Sequence, residues 1–437
     1  MTKKENVLLA YQHKETAWVP SAFLDTELCV PSATNERNNS FSGGKDWFGV
    51  DWTFVMELHA PMPTIGTRRL SDITNWKEEL VFPDLENIDW EVCAARDTSH
   101  WDPENKLSSV MLPNGPFERL HSLIGFEDAL VSLLDEPEAT YEFFTAFTDW
   151  RCRLIEKIAK YYHPDILNIQ DDWGHQRGML MSPDTWREMI KPHIKRMVDC
   201  AHANGMIYQQ HSCGYIEPII EDLIEIGVDA LEPLQACNDC KTIKEKYGKQ
   251  LTLVGGFDNE HILNRDDVSN EEKRAEVLRV LEYMAPGGSY VAGFVSINLS
   301  DFIPLLDTVH EYNAETYKEH GVSYPPTKVM LDAIFAHVMA QDNAGGKAPV
   351  VENAPNDKYA KHQVVTADLF GNSVEVTVSV DTAETIFDMT YTVMGNNINA
   401  SGTITNGVYT VIEDPSGFAG QMITIVAPKI TDEWISH

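Results

Sequence analysis

The sequence contains no long apolar run and few cysteines. No stretch of its 437 residues approaches the roughly eighteen consecutive apolar residues that a membrane-spanning helix requires. The first residues, MTKKENVLLAYQHKET, lack the apolar core of a secretory signal peptide. The 7 cysteines are an odd and widely spaced set, which argues against a disulfide framework and leaves free thiols or metal ligands. We therefore expect a cytoplasmic protein without a membrane anchor.

Basic residues are also scarce. Lysine and arginine number 34 against 67 aspartates and glutamates, which gives a formal net charge of −33. Such a field keeps a protein soluble and repels polyanions. Nucleic acids and anionic membranes require a basic face, so we expect neither as a partner. A substrate with many carboxylates would need a locally basic pocket.

From about residue 160, short apolar segments alternate with amphipathic segments of helical period. Repeated strand–helix units imply a parallel sheet with helices outside. A length of about 300 residues favours an eight-stranded (β/α) barrel of the TIM type, with an open doubly wound sheet as the alternative. No GxGxxG motif follows a first strand, as a dinucleotide-binding sheet would show. The predicted strands include 165–174, 206–213, 229–235 and 251–258, and the predicted helices include 182–205 and 215–227.

The pattern changes near residue 344. A stretch rich in glycine, proline and charged residues follows. Beyond it, valines alternate with polar residues over 374–380, which is typical of a strand with one solvent-exposed face. Asn406-Gly407 lies between two strand-like runs and indicates a hairpin. We predict a barrel over 1–344, a linker over 345–362 and a small antiparallel β domain of unknown role over 363–437.

Polar residues collect where the predicted strands end, and in a parallel barrel the chemistry lies at those carboxyl ends. His211 and Cys213 are two apart on one strand, so their side chains point to the same side. Imidazole nitrogen and thiolate sulfur are preferred zinc ligands. A packed thiol beside a hydrogen-bonded histidine is the alternative interpretation. The other residues at these ends are Asp171, Asp172, His175, Gln176, Glu232, Gln235, Asp258 and Asn259.

Two further signals have structural interpretations as well. Asp171 and Asp172 precede a helix, where acidic residues commonly meet the positive end of the helix dipole. Cys237 and Cys240 form a CxxC motif, but no second CxxC exists in the chain, so a four-thiolate zinc site is not supported.

Six stretches of the chain form a recognisable set: NVLLAYQHKETAWVP, FGVDW, GPFERLHSLIGFEDALVSLLDEPEA, DDWGHQRGMLMSPDTWREMIKP, HSCGYIEPIIEDLIEIGVDALEPLQ and KEKYGKQLTLVGGFD. They resemble the uroporphyrinogen decarboxylase superfamily and, more closely, its corrinoid-dependent O-demethylase methyltransferases, which cleave methyl ethers. The resemblance covers about residues 5–320 and does not extend to the predicted β domain. It implies a distorted (β/α)8 barrel with the active site at the carboxyl-terminal mouth.

The resemblance implies a zinc ion held by His211 and Cys213. Related methyltransferases take a third ligand, a cysteine, from a later strand, but the matching segment 287–298 contains no cysteine. Asp172, Glu232 or Cys240 could substitute, since carboxylate oxygens also bind zinc.

Some vanillate-type relatives carry an Asp-x27-Cys-x39-Cys pattern, which Asp172, Cys200 and Cys240 match. Cys200 lies near the end of a predicted outer helix, by the opposite barrel mouth, so we exclude it as a ligand.

The implied activity is methyl transfer from a methoxylated aromatic ether to the Co(I) corrinoid of a partner protein. The chain has no Asp-x-His-x-x-Gly stretch of the kind that corrinoid carriers use, so the carrier must be a separate protein. On this interpretation Asp172, Asp171 and Asp51 are catalytic, Asp51 because FGVDW matches the position of the decarboxylase's aspartate. The residues assigned to substrate binding are Trp173, His175, Gln176, Gln235 and Asp258.

Two alternatives remain open at this point. A tetrapyrrole decarboxylase without metal shares the fold, but its substrate carboxylates are bound in a region where this chain has a single arginine, Arg37. A barrel kept as a binding scaffold is the other alternative, and the convergence of acids, histidine and cysteine at strand ends argues against it.

Overall fold

The computed structural model describes residues 1–38, 43–55, 60–265, 267–293 and 299–317, and six strands beyond residue 362. The predicted linker over 345–362 and the Asn406-Gly407 turn lie outside the described residues.

The centre of the fold is one parallel sheet, because the apolar segments found in the sequence form strands that are covered on both faces. Neighbouring strands pair in chain order and in parallel. The strands are β1 (Thr26–Cys29), β2 (Leu107–Leu112), β3 (Ile166–Gln170), β4 (Ile207–His211), β5 (Ala230–Leu234), β6 (Thr252–Gly255) and β7 (Tyr290–Val291).

The sheet curls so that its two ends approach each other. Ser21, which precedes β1, forms a parallel bridge with Ala292, which follows β7. The amide of Ala22 donates to the carbonyl of Ala292 at 2.9 Å. The predicted TIM-like α/β architecture is confirmed at this level, with seven strands of the parallel sheet among the described residues.

Helices surround this sheet, and their ends follow the predicted signals. Ser182 caps one helix by accepting from the amide of Thr185 at 3.0 Å, and Ser269 forms the predicted capping box with Glu272. The predicted helix 182–205 is divided at Ile190, because Pro192 lies in the first turn of its second half. The α-helices are Lys3–Tyr11, Trp76–Glu79, Trp90–Asp97, Pro116–Ile124, Phe126–Asp135, Pro137–Tyr162, Pro183–Met189, Lys191–Ala203, Ile220–Glu225, Cys240–Tyr247, Asn270–Met284 and Leu299–Thr316, with 3-10 turns at Ile73–Asn75 and Glu217–Ile219 and a π turn at Asn259–Leu263. None of the described helices is long and apolar enough to cross a bilayer.

The amino-terminal helix Lys3–Tyr11 packs against the amino ends of the strands. Its residues Val7, Ala10 and Tyr11 join a buried apolar cluster, whose strand members are Leu107, Ile166, Ala230, Val254 and Val291. One layer nearer the carboxyl ends, the buried residues are polar and include Asn168 and Gln209. This polar layer lies directly below the candidate site.

Short antiparallel elements complete the described structure. Gly44–Lys45, Asp51–Val55 and Ala60–Pro63 form one small sheet, and Gly174–His175 pairs with Gly178–Met179. Beyond residue 362, two three-stranded antiparallel sheets comprise Gln363–Phe370, Ser373–Val380, Asp388–Gly395, Ile398–Thr405, Thr410–Glu413 and Thr424–Val426. That these strands form an independent small domain remains a prediction.

Candidate active site

Three of the predicted side chains meet at the carboxyl ends of β3 and β4. One ligand atom each from Asp172, His211 and Cys213 lies within 4.8 Å of the others. His211 Nε2 is 3.5 Å from Cys213 Sγ and 3.8 Å from Asp172 Oδ1. Within the described part of the chain, this is the group of histidine, cysteine and acidic side chains with the spacing of a metal site.

Two loops in direct backbone contact hold this group together. Gly214 has a φ of +81°, and a Cβ at this position would lie 2.2 Å from the carbonyl carbon of Gly174. The amide of Tyr215 donates to the carbonyl of His175 at 3.0 Å. Because only glycine permits this approach, the loop after β4 is fixed against the loop after β3.

Glu232 lies on the other side of the imidazole. Its Oε2 is 3.8 Å from His211 Nδ1, whereas Nε2 faces Cys213 and Asp172. The same oxygen accepts hydrogen bonds from Asn168 Nδ2 at 2.6 Å and from Gln209 Nε2 at 3.0 Å. The structure therefore places Glu232 behind the histidine and outside the three-atom group, although the sequence had suggested it as a ligand.

Burial and neighbouring charged groups together determine the protonation of this cluster. Burial and the nearby Glu118 carboxylate raise the pKa of Asp172, with His211 opposing them, and burial raises the pKa of the Cys213 thiol. Burial opposes the charging of His211, but Cys213 and Glu232 more than offset it and raise the pKa of the ring well above its ordinary value. A cation entering the group would take the place of these protons.

The two adjacent aspartates have different surroundings. Asp171 is fully buried and accepts hydrogen bonds from the amide of Glu118 at 2.8 Å, the amide of Phe117 at 3.3 Å and Trp173 Nε1 at 2.8 Å. Its carboxyl group therefore lies at the start of helix Pro116–Ile124. Burial, reinforced by Glu118, raises the pKa of Asp171 well above its usual range. Its contacts are those of a helix cap.

The predicted substrate-binding residues are spread over the mouth of the sheet. Trp173 is fully buried, and its ring packs edge-on against Trp186 at 5.1 Å. His175 and Gln176 are exposed, and Gln176 Nε2 is 3.3 Å from Gln235 Oε1. Gln235 Oε1 also accepts from the amide of Gly214 at 2.7 Å, which links it to the loop that carries Cys213.

Three other predicted residues lie outside the three-atom group. Asp258 caps the turn Asn259–Leu263 by accepting from the amide of His261 at 2.8 Å. Asp51 lies on the small antiparallel sheet, 3.9 Å from Lys45 Nζ. Cys240 is buried, with Sγ 3.5 Å from the carbonyl of Gln235, and burial raises the pKa of this thiol to about 12.

Sequence reasoning missed Glu118, a buried acid whose charge acts on the cluster. Glu118 Oε2 accepts from Arg37 Nη2 at 2.6 Å and from the amide of Asn114 at 3.1 Å. Burial opposes its ionisation, but Arg37, His121 and His211 outweigh burial and lower the pKa of Glu118. Glu118 lies in the first turn of helix Pro116–Ile124, which follows β2, so a search that extended past the strand ends into the following helix would have found it.

Comparison with known proteins agrees with this architecture. Residues 104–295, which include the whole three-atom group, match the family described as Uroporphyrinogen decarboxylase (URO-D). No curated protein matches the sequence significantly. The fold is similar to a solved structure described as a methyltransferase from Methanosarcina mazei, with a TM-score of 0.55, 17% sequence identity, and coverage of 71% of this chain and 99% of that chain. The resemblance to the uroporphyrinogen decarboxylase superfamily, predicted from the sequence, is thereby confirmed.

Proposed function

We propose that this protein is a zinc-assisted methyltransferase, which moves the methyl group of a methoxylated aromatic ether to the Co(I) corrinoid of a separate carrier protein. The observation that carries the proposal is the group of Asp172, His211 and Cys213 within 4.8 Å of one another. The family match and the methyltransferase of similar fold support methyl transfer as the class of reaction.

The three side chains fit zinc by their chemistry. A catalytic zinc site commonly has three protein ligands and an open position, and imidazole nitrogen, thiolate sulfur and carboxylate oxygen are its usual donors. Asp172 would take the place of the cysteine that is missing from 287–298. When bound, zinc supplies a Lewis acid for the oxygen of the ether, whose leaving group is a phenolate.

The surrounding residues hold the three ligand side chains in position. The Cys213 amide holds the Asp172 carboxylate at 2.7 Å, so this oxygen stays on the side of the cluster. The three ligand side chains are half-buried, and partial removal from water strengthens electrostatic interactions within the cluster. The exposed hairpin with His175 and Gln176 borders the mouth of the sheet, where an ether and a corrinoid carrier would approach.

The decarboxylase alternative requires cationic groups for the carboxylates of a tetrapyrrole. Arg37, the arginine that the sequence offers in that region, bonds to the Glu118 carboxylate at 2.6 Å and to Asn114 Oδ1 at 2.8 Å. Its charge is therefore already compensated, which favours the methyltransferase.

The test is methyl transfer from a panel of methoxylated aromatics to a Co(I) corrinoid protein. We expect loss of the Co(I) absorbance together with one phenol released per corrinoid methylated. A chelator should abolish the reaction, and zinc should restore it in the wild type but not in His211→Ala. Cys200→Ser is the matched control, because it also removes a thiol, but one on the outer helix Lys191–Ala203. Absence of transfer from every donor, with carbon dioxide released from a porphyrinogen by metal-free protein, would establish the alternative.

A further inference from the structure

We infer that Tyr11 and Gln209 are positioning residues, which act through Glu232 to fix the ring nitrogen that His211 presents to a metal. The inference rests on the proposed metal site and assigns a second task to the amino-terminal helix. It concerns four side chains that the sequence brings from three distant segments: residue 11, residue 209 with residue 211, and residue 232.

The four side chains lie in a row in the interior of the sheet and form a polar path, joined by two hydrogen bonds and one close approach of a carboxylate to a ring nitrogen. Tyr11 donates its hydroxyl proton to Gln209 Oε1 at 2.6 Å. Gln209 Nε2 donates to Glu232 Oε2 at 3.0 Å. The same Glu232 oxygen lies 3.8 Å from His211 Nδ1, and that nitrogen is buried without a hydrogen bond within the described structure.

The path has one direction. Glu232 Oε2 accepts amide hydrogens from both Asn168 and Gln209, which is the arrangement expected of an ionised carboxylate, since that group only accepts. Gln209 must therefore turn its NH₂ group toward Glu232 and its oxygen toward Tyr11. The tyrosine hydroxyl supplies the donor that this oxygen requires.

This direction determines the state of the histidine ring. A carboxylate beside Nδ1 favours the proton on Nδ1, which leaves the lone pair on Nε2. Nε2 is the nitrogen that faces Cys213 Sγ at 3.5 Å and Asp172 Oδ1 at 3.8 Å. The path thus selects the tautomer that can bind a metal between these side chains.

Tyr11 is well placed to hold the outer end of the path rigid. It is the last residue of helix Lys3–Tyr11, and its ring belongs to the apolar cluster below the sheet. If the Tyr11 hydroxyl group were removed, Gln209 Oε1 would lose its hydrogen-bond donor. The Gln209 amide could then flip, which would turn its oxygen toward the Glu232 carboxylate. Either change would let the Glu232 carboxylate move away from His211 Nδ1.

The experiment compares Gln209→Met and Tyr11→Phe with the wild type. Both changes remove hydrogen bonds and preserve most of the side-chain volume. Tyr162→Phe is the matched control, because Tyr162 is likewise a buried tyrosine whose hydroxyl donates a hydrogen bond. Its acceptor is the Asp97 carboxylate at 2.7 Å, which lies outside the site. The measurements are zinc affinity by competition with a chromophoric chelator, the visible spectrum of the Co(II)-substituted protein, and the melting temperature of the metal-free protein.

We expect Gln209→Met to bind zinc about 10- to 100-fold more weakly, as for other residues that orient metal ligands. Tyr11→Phe should lose roughly 3- to 10-fold, the effect of one neutral hydrogen bond. Both should alter the Co(II) ligand-field bands, whereas Tyr162→Phe should keep the affinity and spectrum of the wild type even if its melting temperature falls. If Gln209→Met does not fold, Tyr11→Phe decides by the same criteria.

Wild-type affinity and spectrum in the folded variants would overturn the inference while leaving the metal site intact. A loss of affinity that merely follows the melting temperature, in Tyr162→Phe as in the others, would overturn it as well. Failure of the wild type itself to bind zinc or Co(II) would overturn the proposed function and, with it, the inference.

Discussion

The backbone amide of Cys213 donates a hydrogen bond of 2.7 Å to Oδ1 of Asp172. This bond joins the loop after β3 to the loop after β4, and it holds a carboxylate oxygen 3.8 Å from His211 Nε2. An aspartate that follows one strand thereby becomes part of a donor group built on the next strand.

Asp172→Asn should separate the position of this side chain from its charge. The asparagine carbonyl can still accept from the Cys213 amide, so we expect little change in melting temperature. Loss of the anionic donor should lower methyl-transfer turnover by roughly 10²- to 10⁴-fold, with metal content measured on the same sample. Turnover near that of the wild type would remove Asp172 from the mechanism.

Asp171→Ala should have the opposite profile. The change leaves the amides of Phe117 and Glu118 and the indole of Trp173 without their acceptor. Unsatisfied buried donors are costly, so we expect the free energy of unfolding to fall by about 2–4 kcal/mol, as measured by chemical denaturation. Zinc bound per folded chain should stay close to that of the wild type. A stable variant without zinc would contradict the capping role.

Metal analysis should distinguish the cysteines. We expect about one zinc per chain in the wild type, the stoichiometry of a single three-ligand site, and little in Cys213→Ser or His211→Ala. Cys240→Ser should keep its zinc, because Cys240 Sγ lies against the carbonyl groups of Gln235 and Asn238 at 3.5 Å. Loss of zinc from Cys240→Ser alone would place the third ligand there instead of at Asp172.

Gly214→Ala should disrupt the site through the backbone. The added Cβ would lie 2.2 Å from the carbonyl carbon of Gly174, so the two loops must separate and Asp172 must move from Cys213. We expect loss of zinc and activity. Gly205→Ala is the control, since Gly205 also has positive φ (+77°) but no atom within 4 Å of an added Cβ. It should cost about 1 kcal/mol of stability and keep its zinc; equal metal loss in both variants would argue for a general folding defect.

Lys244 should make stability depend on pH on the alkaline side. Burial lowers the pKa of this lysine to about 8, whereas an unfolded lysine titrates near 10.4. Between these values Lys244 holds its proton more fully in the unfolded chain than in the folded protein, so the contribution of this residue to stability should rise with pH. Relative to Lys244→Met, the free energy of unfolding should increase by about 2–3 kcal/mol between pH 7 and 10.5.

Lys241→Met, a change at an exposed position of the same helix, serves as the control for the alkaline series. Its free energy of unfolding should show the same pH dependence as that of the wild type, because it retains Lys244. A constant difference between the wild type and Lys244→Met over this range would show that Lys244 does not titrate as its burial implies.

The sequence alone determined the parallel α/β architecture and the edge at which the candidate site lies. Alternating apolar and amphipathic segments are local patterns, and a parallel sheet brings the carboxyl ends of its strands to one edge. For this reason Asp172, His211 and Cys213 could be grouped from their positions at the carboxyl ends of predicted strands. Local signals also predicted the caps at Ser182 and Ser269.

The tertiary structure decided the role of each side chain within that edge. Adjacent residues of an extended segment point to opposite sides, and the packing of helix Pro116–Ile124 determines that Asp171 faces the helix while Asp172 faces the cluster. The curl and register of the strands put Glu232 behind His211 and Cys240 outside the three-atom group. Tyr11 meets Gln209 across 198 residues of sequence, and such a contact depends on how the amino-terminal helix packs below the sheet, which no local pattern encodes.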